Sequence, residues 1–428
     1  MIRGGVTISL GPRSFPPPLL AILAFLLTSS AAAGELDLLG MVAARGLVAE
    51  GQSAWIDGGF GRLTEGASAP GDRLAAFRGA LHLGIDWKPS KTWLVHAHGV
   101  AHVEPASYDG RRGGLVEAFV QFRPELTPDD ALRLRAGVFF PATSLENTEP
   151  LWQSPYTLTL SALNTWIGEE VRLSGLEAGW IHTGDRNRVE LAAAVFGAND
   201  PAGALVAWRG WSLGDRLSTV GEVLPLPPLP IFAPGAAFGD QRDDGTRPFE
   251  ELDSRPGWSA RGRWSRPETF RIQGAFSHNR GDRGLHRGQY SWDTRFAQLG
   301  LELPIGTSLT FVAEGAGGDT GMGPAVAGGP GVDVRFMVGY GLLSWRHQEW
   351  RITARVDGWD NEDRDGTAEP NQESGFALTS AVFWQPREIV RLGAEYLVVR
   401  AARPAAAFSG ADPDTDARRA LLEVRLVF

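Results

Sequence analysis

Leu421-Leu422-Glu423-Val424-Arg425-Leu426-Val427-Phe428 closes the chain in strict alternation. Ala420, Leu422, Val424, Leu426 and Phe428 make one apolar face. Arg419, Glu423 and Arg425 fall on the other, with Leu421 and Val427 as exceptions. A soluble strand rarely ends on an exposed aromatic. A strand with lipid on one side and water on the other has a use for one, because aromatics anchor at the membrane–water interface.

The same alternation recurs upstream. In 187–197, Val189, Leu191, Ala193 and Val195 oppose Arg188 and Glu190. In 350–358, Trp350, Ile352, Ala354 and Val356 oppose Arg351, Thr353, Arg355 and Asp357. In 388–400, Val390, Leu392, Ala394, Tyr396 and Val398 oppose Arg391 and Glu395. A soluble sandwich has shorter strands and a polar outer face. Only a water-filled lumen leaves these inward charges hydrated.

Segments of about ten residues with period 2 are separated by short and long connections in turn. The pattern predicts a 16-stranded antiparallel transmembrane β-barrel (range 14–18), with short periplasmic turns and long extracellular loops. The first strand is expected at 51–61, with 34–50 a periplasmic segment or the start of that strand. The barrel then occupies 51–428.

The N-terminus gives a compartment. Arg3 and Arg13 precede an apolar core at Leu19 to Leu27, and Ala31-Ala32-Ala33 offers a cleavage site, so 1–33 is expected to be a signal peptide. Nine apolar residues are too few for a spanning helix, which needs about 20. The expected location is the outer membrane, with membrane lipid as partner. Cysteine is absent, so an exported chain of this size folds without disulfides. A formal net charge of −9 excludes a general nucleic-acid binder.

The connection 141–168 is too apolar for a solvated loop. Leu151, Trp152, Tyr156, Leu158, Leu160, Leu163, Trp166 and Ile167 call for burial. Folding into the barrel would provide it; covering the mouth or a subunit contact is the alternative. The loop 198–256 is longer and carries Leu224-Pro225-Leu226-Pro227-Pro228-Leu229-Pro230, which cannot be a central strand. Candidate pore-lining or constriction residues are Arg133, Arg135, Arg172, Arg188, Arg261 and Arg263, with Glu146 and Glu149 from the loop. Rings of arginine favour anions; arginines neutralised by lumen glutamates are the blander alternative.

Sixteen strands, a signal sequence, a terminal Phe and an in-folding third loop resemble the trimeric porins of Gram-negative outer membranes. The run Arg133-Leu134-Arg135-Ala136-Gly137-Val138-Phe139-Phe140-Pro141 is similar in outline to the phosphate-selective porin group. The resemblance implies a homotrimer and passive diffusion of small hydrophilic solutes, with an anion preference. The lysine-rich selectivity of that group is missing: the chain has two lysines, Lys88 and Lys91, both beside one turn.

Weaker signals complete the reading. Asn361-Glu362-Asp363-Arg364-Asp365-Gly366 has the start of a calcium loop but Gln372 at its twelfth position. His82, His96 and His98 could meet on a polar face, as a metal site or as hydrated lining. Ser277 and His278 adjoin but point to opposite faces. No catalytic, cofactor or metal residue is assigned, and the chain is not read as an enzyme. The competing functions are a plugged barrel with lipid-handling or hydrolase activity, and a surface-binding structural barrel.

Overall fold

The computed structural model describes residues 34–67, 72–103, 112–241, 245–324 and 331–428. The signal segment 1–33 lies outside them, as do parts of the long connections. Among the described residues, sixteen antiparallel strands close into a barrel in chain order. They are β1 Glu35–Glu50, β2 Arg73–Ser90, β3 Trp93–Val103, β4 Gly113–Phe122, β5 Asp130–Phe139, β6 Leu173–Thr183, β7 Arg188–Gly197 and β8 Gly257–Arg266. The second half runs β9 Phe270–His278, β10 Asp293–Ile305, β11 Leu309–Met322, β12 Val332–His347, β13 Trp350–Asp363, β14 Glu373–Arg387, β15 Val390–Ala402 and β16 Asp414–Val427. Strand β16 pairs back onto β1, Met41 opposite Val427 and Glu50 opposite Arg418, which removes the free edges.

The first strand differs from the sequence expectation. It is Glu35–Glu50, and 51–61 is part of the connection after it. Two causes are visible. The inward face of β1 (Met41, Ala43, Leu47, Ala49) is apolar except for Arg45, because it packs on Leu151 and Leu158 of the in-folded loop, so its alternation is blurred. In 51–61 the chain turns back: Gly61 N–H donates to the Ser53 carbonyl at 2.8 Å, and Gly58 has φ +76 at the end of the turn Trp55–Asp57. A side chain at Gly61 would meet Ser53 O at 2.6 Å.

The outer face is apolar. Leu176, Leu299, Met337 and Leu422 are each 66–70% exposed, the state expected of residues that meet lipid. Aromatic pairs gather beside the short turns: Trp93–Phe122 at 4.7 Å, Trp264–Phe270 at 4.6 Å and Trp350–Trp384 at 5.9 Å. They form one interfacial girdle, of the kind that holds a barrel at a fixed depth. Among the described residues no helix is long and apolar enough to cross a membrane.

Candidate functional site in the barrel lumen

The connection from β5 to β6, residues 140–172, folds inward. Its α-helix, α1 (Ala162–Glu170), starts on Ser161, whose hydroxyl accepts the Asn164 N–H at 3.2 Å, a standard N-terminal cap. Leu163, Trp166 and Ile167 enter a core shared with Trp211 of the next long loop and with Phe296 and Phe336 of the wall. Trp166 meets Phe296 and Phe336 edge-on at 5.0 and 5.4 Å.

Buried charge fixes the loop. Arg355 of β13 donates to Asp357 (2.8 Å), Glu146 (2.6 Å), Thr157 Oγ1 (2.7 Å) and the carbonyls of Thr159 (2.7 Å) and Leu160 (3.1 Å). Glu395 of β15 accepts the N–H groups of Leu158 and Thr159 at 2.6 and 3.0 Å. Irregular backbone inside a barrel needs such partners, since unpaired buried groups are costly.

The loop 198–256 lies on top of α1. Glu170 accepts from Gly203 N, Leu205 N and Trp166 Nε1 at 2.8–3.0 Å, and Arg209 donates to Glu169 at 2.6 Å. Burial pushes the Glu170 carboxyl up to about 7, against the amides that donate to it. Together these loops pack inside the barrel, and 140–172 reaches through Glu149 as far as Arg391 near the short-turn end.

The basic wall lies on β5–β9. Arg133, Arg135 and Arg261 converge on Glu177, at 3.6, 3.2 and 3.3 Å. Arg133 and Arg261 also approach Glu190 within 3.8 Å. Arg188 pairs with Glu190 at 2.8 Å with its side chain 39% exposed. Arg263 donates to Gln273 Oε1 at 2.7 Å and to the Ala142 carbonyl at 3.0 Å, which ties wall to loop. Arg271 pairs with Glu302 of β10 at 2.7 Å.

Of the candidates from sequence, this wall unites Arg133, Arg135, Arg188, Arg261 and Arg263. It does not include the others. Arg172 is fully buried and donates to the carbonyls of Val116 (3.1 Å) and Gly168 (2.6 Å) and to Ser218, so it braces loops and offers no lining surface. Glu146 is equally buried against Arg355. Glu149 sits across the lumen, 3.0 Å from Arg391. Alternation gives Glu423 and Arg425 but not the Arg45 and Asp215 that extend them into the chain Asp215–Arg45–Glu423–Arg425, in which Arg45 Nε donates to Glu423 at 2.7 Å. Arg45 lies in 34–50, which the sequence leaves open between a periplasmic segment and the start of the first strand, and Asp215 lies on a loop whose path no pattern gives.

The histidines separate. His82 Nδ1 meets His98 Nε2 at 3.1 Å, while His96 turns to Asp86 at 2.5 Å, so the three do not converge. The acids of 361–366 serve their own turn: Asp363 accepts from Asp365 N and Asn371 N, and Asp365 from Thr367 N. His278 bonds Asp293 at 2.7 Å, not Ser277.

No protein-family model matches the chain, and no curated protein matches it in sequence. Solved structures do resemble it. Salmonella typhi OmpF, in a complex with daunomycin, aligns with TM-score 0.55 at 9% identity over 93% of this chain and 98% of that one. The outer-membrane channel DcaP of Acinetobacter baumannii gives 0.53 at 11% identity, over 93% and 99%. The anion-selective porin of Comamonas acidovorans gives 0.51 at 8%, over 92% and 100%. The fold is that of the Gram-negative outer-membrane porins.

Proposed function

We propose that the protein is an outer-membrane channel for passive diffusion of small hydrophilic solutes, with a preference for anions. One observation carries this: six lumen-facing arginines on β5–β9 (133, 135, 188, 261, 263, 271) stand against Glu177, Glu190 and Glu302, with Glu314 of β11 behind Gln273 and Glu117 of β4 beside Arg135. Six positive groups against five negative leave an excess of one that attracts anions, and each ion-paired arginine holds a passing ion weakly enough to release it. The Comamonas acidovorans protein of the same fold is described as anion-selective, which supports the reading by analogy of fold. Export through 1–33, residence in the outer membrane with the short turns in the periplasm, and a homotrimeric assembly belong to the same proposal.

The test is single-channel conductance of the refolded mature protein in a planar bilayer, with reversal potential under a salt gradient. The expected result is a steady conductance with an anion-shifted reversal potential. Absence of conductance overturns the channel.

A closed barrel is the second reading. It is favoured by the burial of the lumen wall behind the loops, where Arg355, Glu395, Arg419 and Glu423 are each under 5% exposed. It predicts a silent bilayer that begins to conduct when 141–161 is excised.

A further inference from the structure

The wall opposite the basic ladder carries another arginine site, at the short-turn mouth. Arg391 of β15 is 4% exposed. Its Nη1 donates to both Glu149 oxygens, each at 3.0 Å, and its flat face lies 4.7 Å from the Phe383 ring. Nε and Nη2 have no partner. Among the described residues Arg391 is the one arginine that leaves two buried nitrogens unpaired. Arg355 shows the contrast: its Nε, Nη1 and Nη2 are all spent on Asp357, on Glu146 and on the loop carbonyls. Arg172 and Arg403, which brace loops, each leave one buried nitrogen unpaired, whereas Arg391 leaves two. Unmade bonds of buried donors are costly, so two on one guanidinium call for an occupant.

Arg391 lines a cavity of about 480 Å³, which Arg346, Arg351 and Arg387 also line. The acids on that cavity are Glu149, Glu349 and Glu388, so the basic groups outnumber them by one. Phe383 adds apolar surface.

We infer that this cavity is a binding subsite for an oxyanion, the carboxylate or phosphate group of a small solute, held by the Nε–Nη2 edge of Arg391. The two parallel N–H groups of that edge match two oxygens of such a group, which a point charge such as lysine does not. Glu149 is an internal stand-in. It holds Nη1 while the subsite is empty, and its side chain, 36% exposed, is the movable part of the cover. Arg351 supplies a second charge on the same cavity. The inference deepens the channel reading by naming the chemistry of the solute at one mouth. Binding itself does not require conduction.

The experiment is equilibrium dialysis of the refolded full chain in detergent, with labelled inorganic phosphate in one arm and labelled succinate in the other, against a constant chloride background. Saturable binding in at least one arm is expected, and the arm that binds identifies the source of the oxyanion. Arg391→Gln should weaken it by about tenfold or more, the scale of a lost charge-assisted pair. Glu149→Gln, which releases Nη1, should tighten it. Heat-dependent electrophoretic mobility establishes that each variant is folded. The inference falls if the wild type shows no saturable binding, if Arg391→Gln binds as well as wild type, or if Glu149→Gln binds more weakly. Bilayer conductance, measured separately, keeps the two proposals apart. A barrel that conducts without binding refutes the subsite, and one that binds without conducting refutes the channel alone.

Discussion

Arg355 and Glu146 meet at 2.6 Å with neither side chain reaching solvent. One belongs to the wall, the other to the in-folded loop, and 209 residues of chain separate them. Removing one partner of a buried ion pair leaves the other charge uncompensated, at about 3–5 kcal/mol. Arg355→Gln should therefore unlatch the segment 141–161 while the strands stay paired. Limited proteolysis should cut there in the variant and not in the wild type, and bilayer current should become larger and noisier. An uncut loop in a folded variant would mean that Glu395 alone holds it.

Glu177 is the shared acid of the basic wall, with Arg133, Arg135 and Arg261 all within 3.6 Å. Glu177→Gln raises the local charge by one and leaves three guanidinium groups mutually repelling. The reversal potential under a salt gradient should move further toward the anion limit. Thermal stability should fall by about 1–3 kcal/mol, the cost of a lost charge-assisted hydrogen-bond partner. A reversal potential that shifts toward the cation limit would place the permeation path away from this wall.

Fifteen of the sixteen strands were legible because lipid and water on opposite faces force period 2 on the sequence. The exception is instructive. Strand β1 meets lipid outside and loop side chains inside, so Met41, Ala43 and Leu47 erase the contrast. The same cause hid half of the site. Alternation finds Arg133, Arg261 and the other arginines of β5–β9, but it cannot tell that Arg172 is consumed by backbone carbonyls or that Glu146 is sealed against Arg355. Those facts depend on where an irregular loop lies, and aperiodic sequence carries no register for it.

Glu170 links stability to pH. Burial raises its carboxyl from the ordinary 4.5 to about 7 in the folded protein. The folded state therefore holds a proton that the unfolded chain releases, and stability falls as pH rises from about 4.5 to about 7, by roughly 3 kcal/mol at most. Glu170→Gln does not titrate and keeps one acceptor, for either Gly203 N or Leu205 N, which donate to different oxygens of the carboxylate. The rate of proteolysis in 198–256 should rise with pH across that window in the wild type and stay flatter in the variant. Equal slopes would assign the dependence to another group.

Gly210 ends the turn Leu205–Arg209 with φ +86, a backbone state that side chains resist. A Cβ there would also run into the Glu373 carboxylate and come within 2.7 Å of Arg62 Nη1. Glu373 is itself pinned between Arg62 (3.4 Å) and Arg403 (3.2 Å), so it has little room to yield. Gly210→Ala should cost more than the roughly 1 kcal/mol of an unfavourable φ alone. The measurable consequence is a lower unfolding temperature with faster hydrogen exchange at Trp208 and Trp211. An unchanged melting curve would mean that the loop shifts as a unit and carries no barrel stability.

The closing seam depends on the last residue. Phe428 N–H donates to the Gly40 carbonyl at 3.0 Å, and Gly40 N–H donates back to Phe428 at 2.6 Å. The Phe428 ring lies over Gly40, where a Cβ would meet it. Two changes separate the backbone pair from the ring. Phe428→Ala keeps both hydrogen bonds and loses an interfacial aromatic anchor. Gly40→Ala keeps the ring but displaces it, at modest cost because a terminal side chain swings freely. Refolding into lipid vesicles, followed by heat-shifted mobility, should slow most for deletion of Phe428, less for Phe428→Ala and least for Gly40→Ala. If Phe428→Ala matches the deletion, the ring rather than the hydrogen-bonded pair closes the barrel.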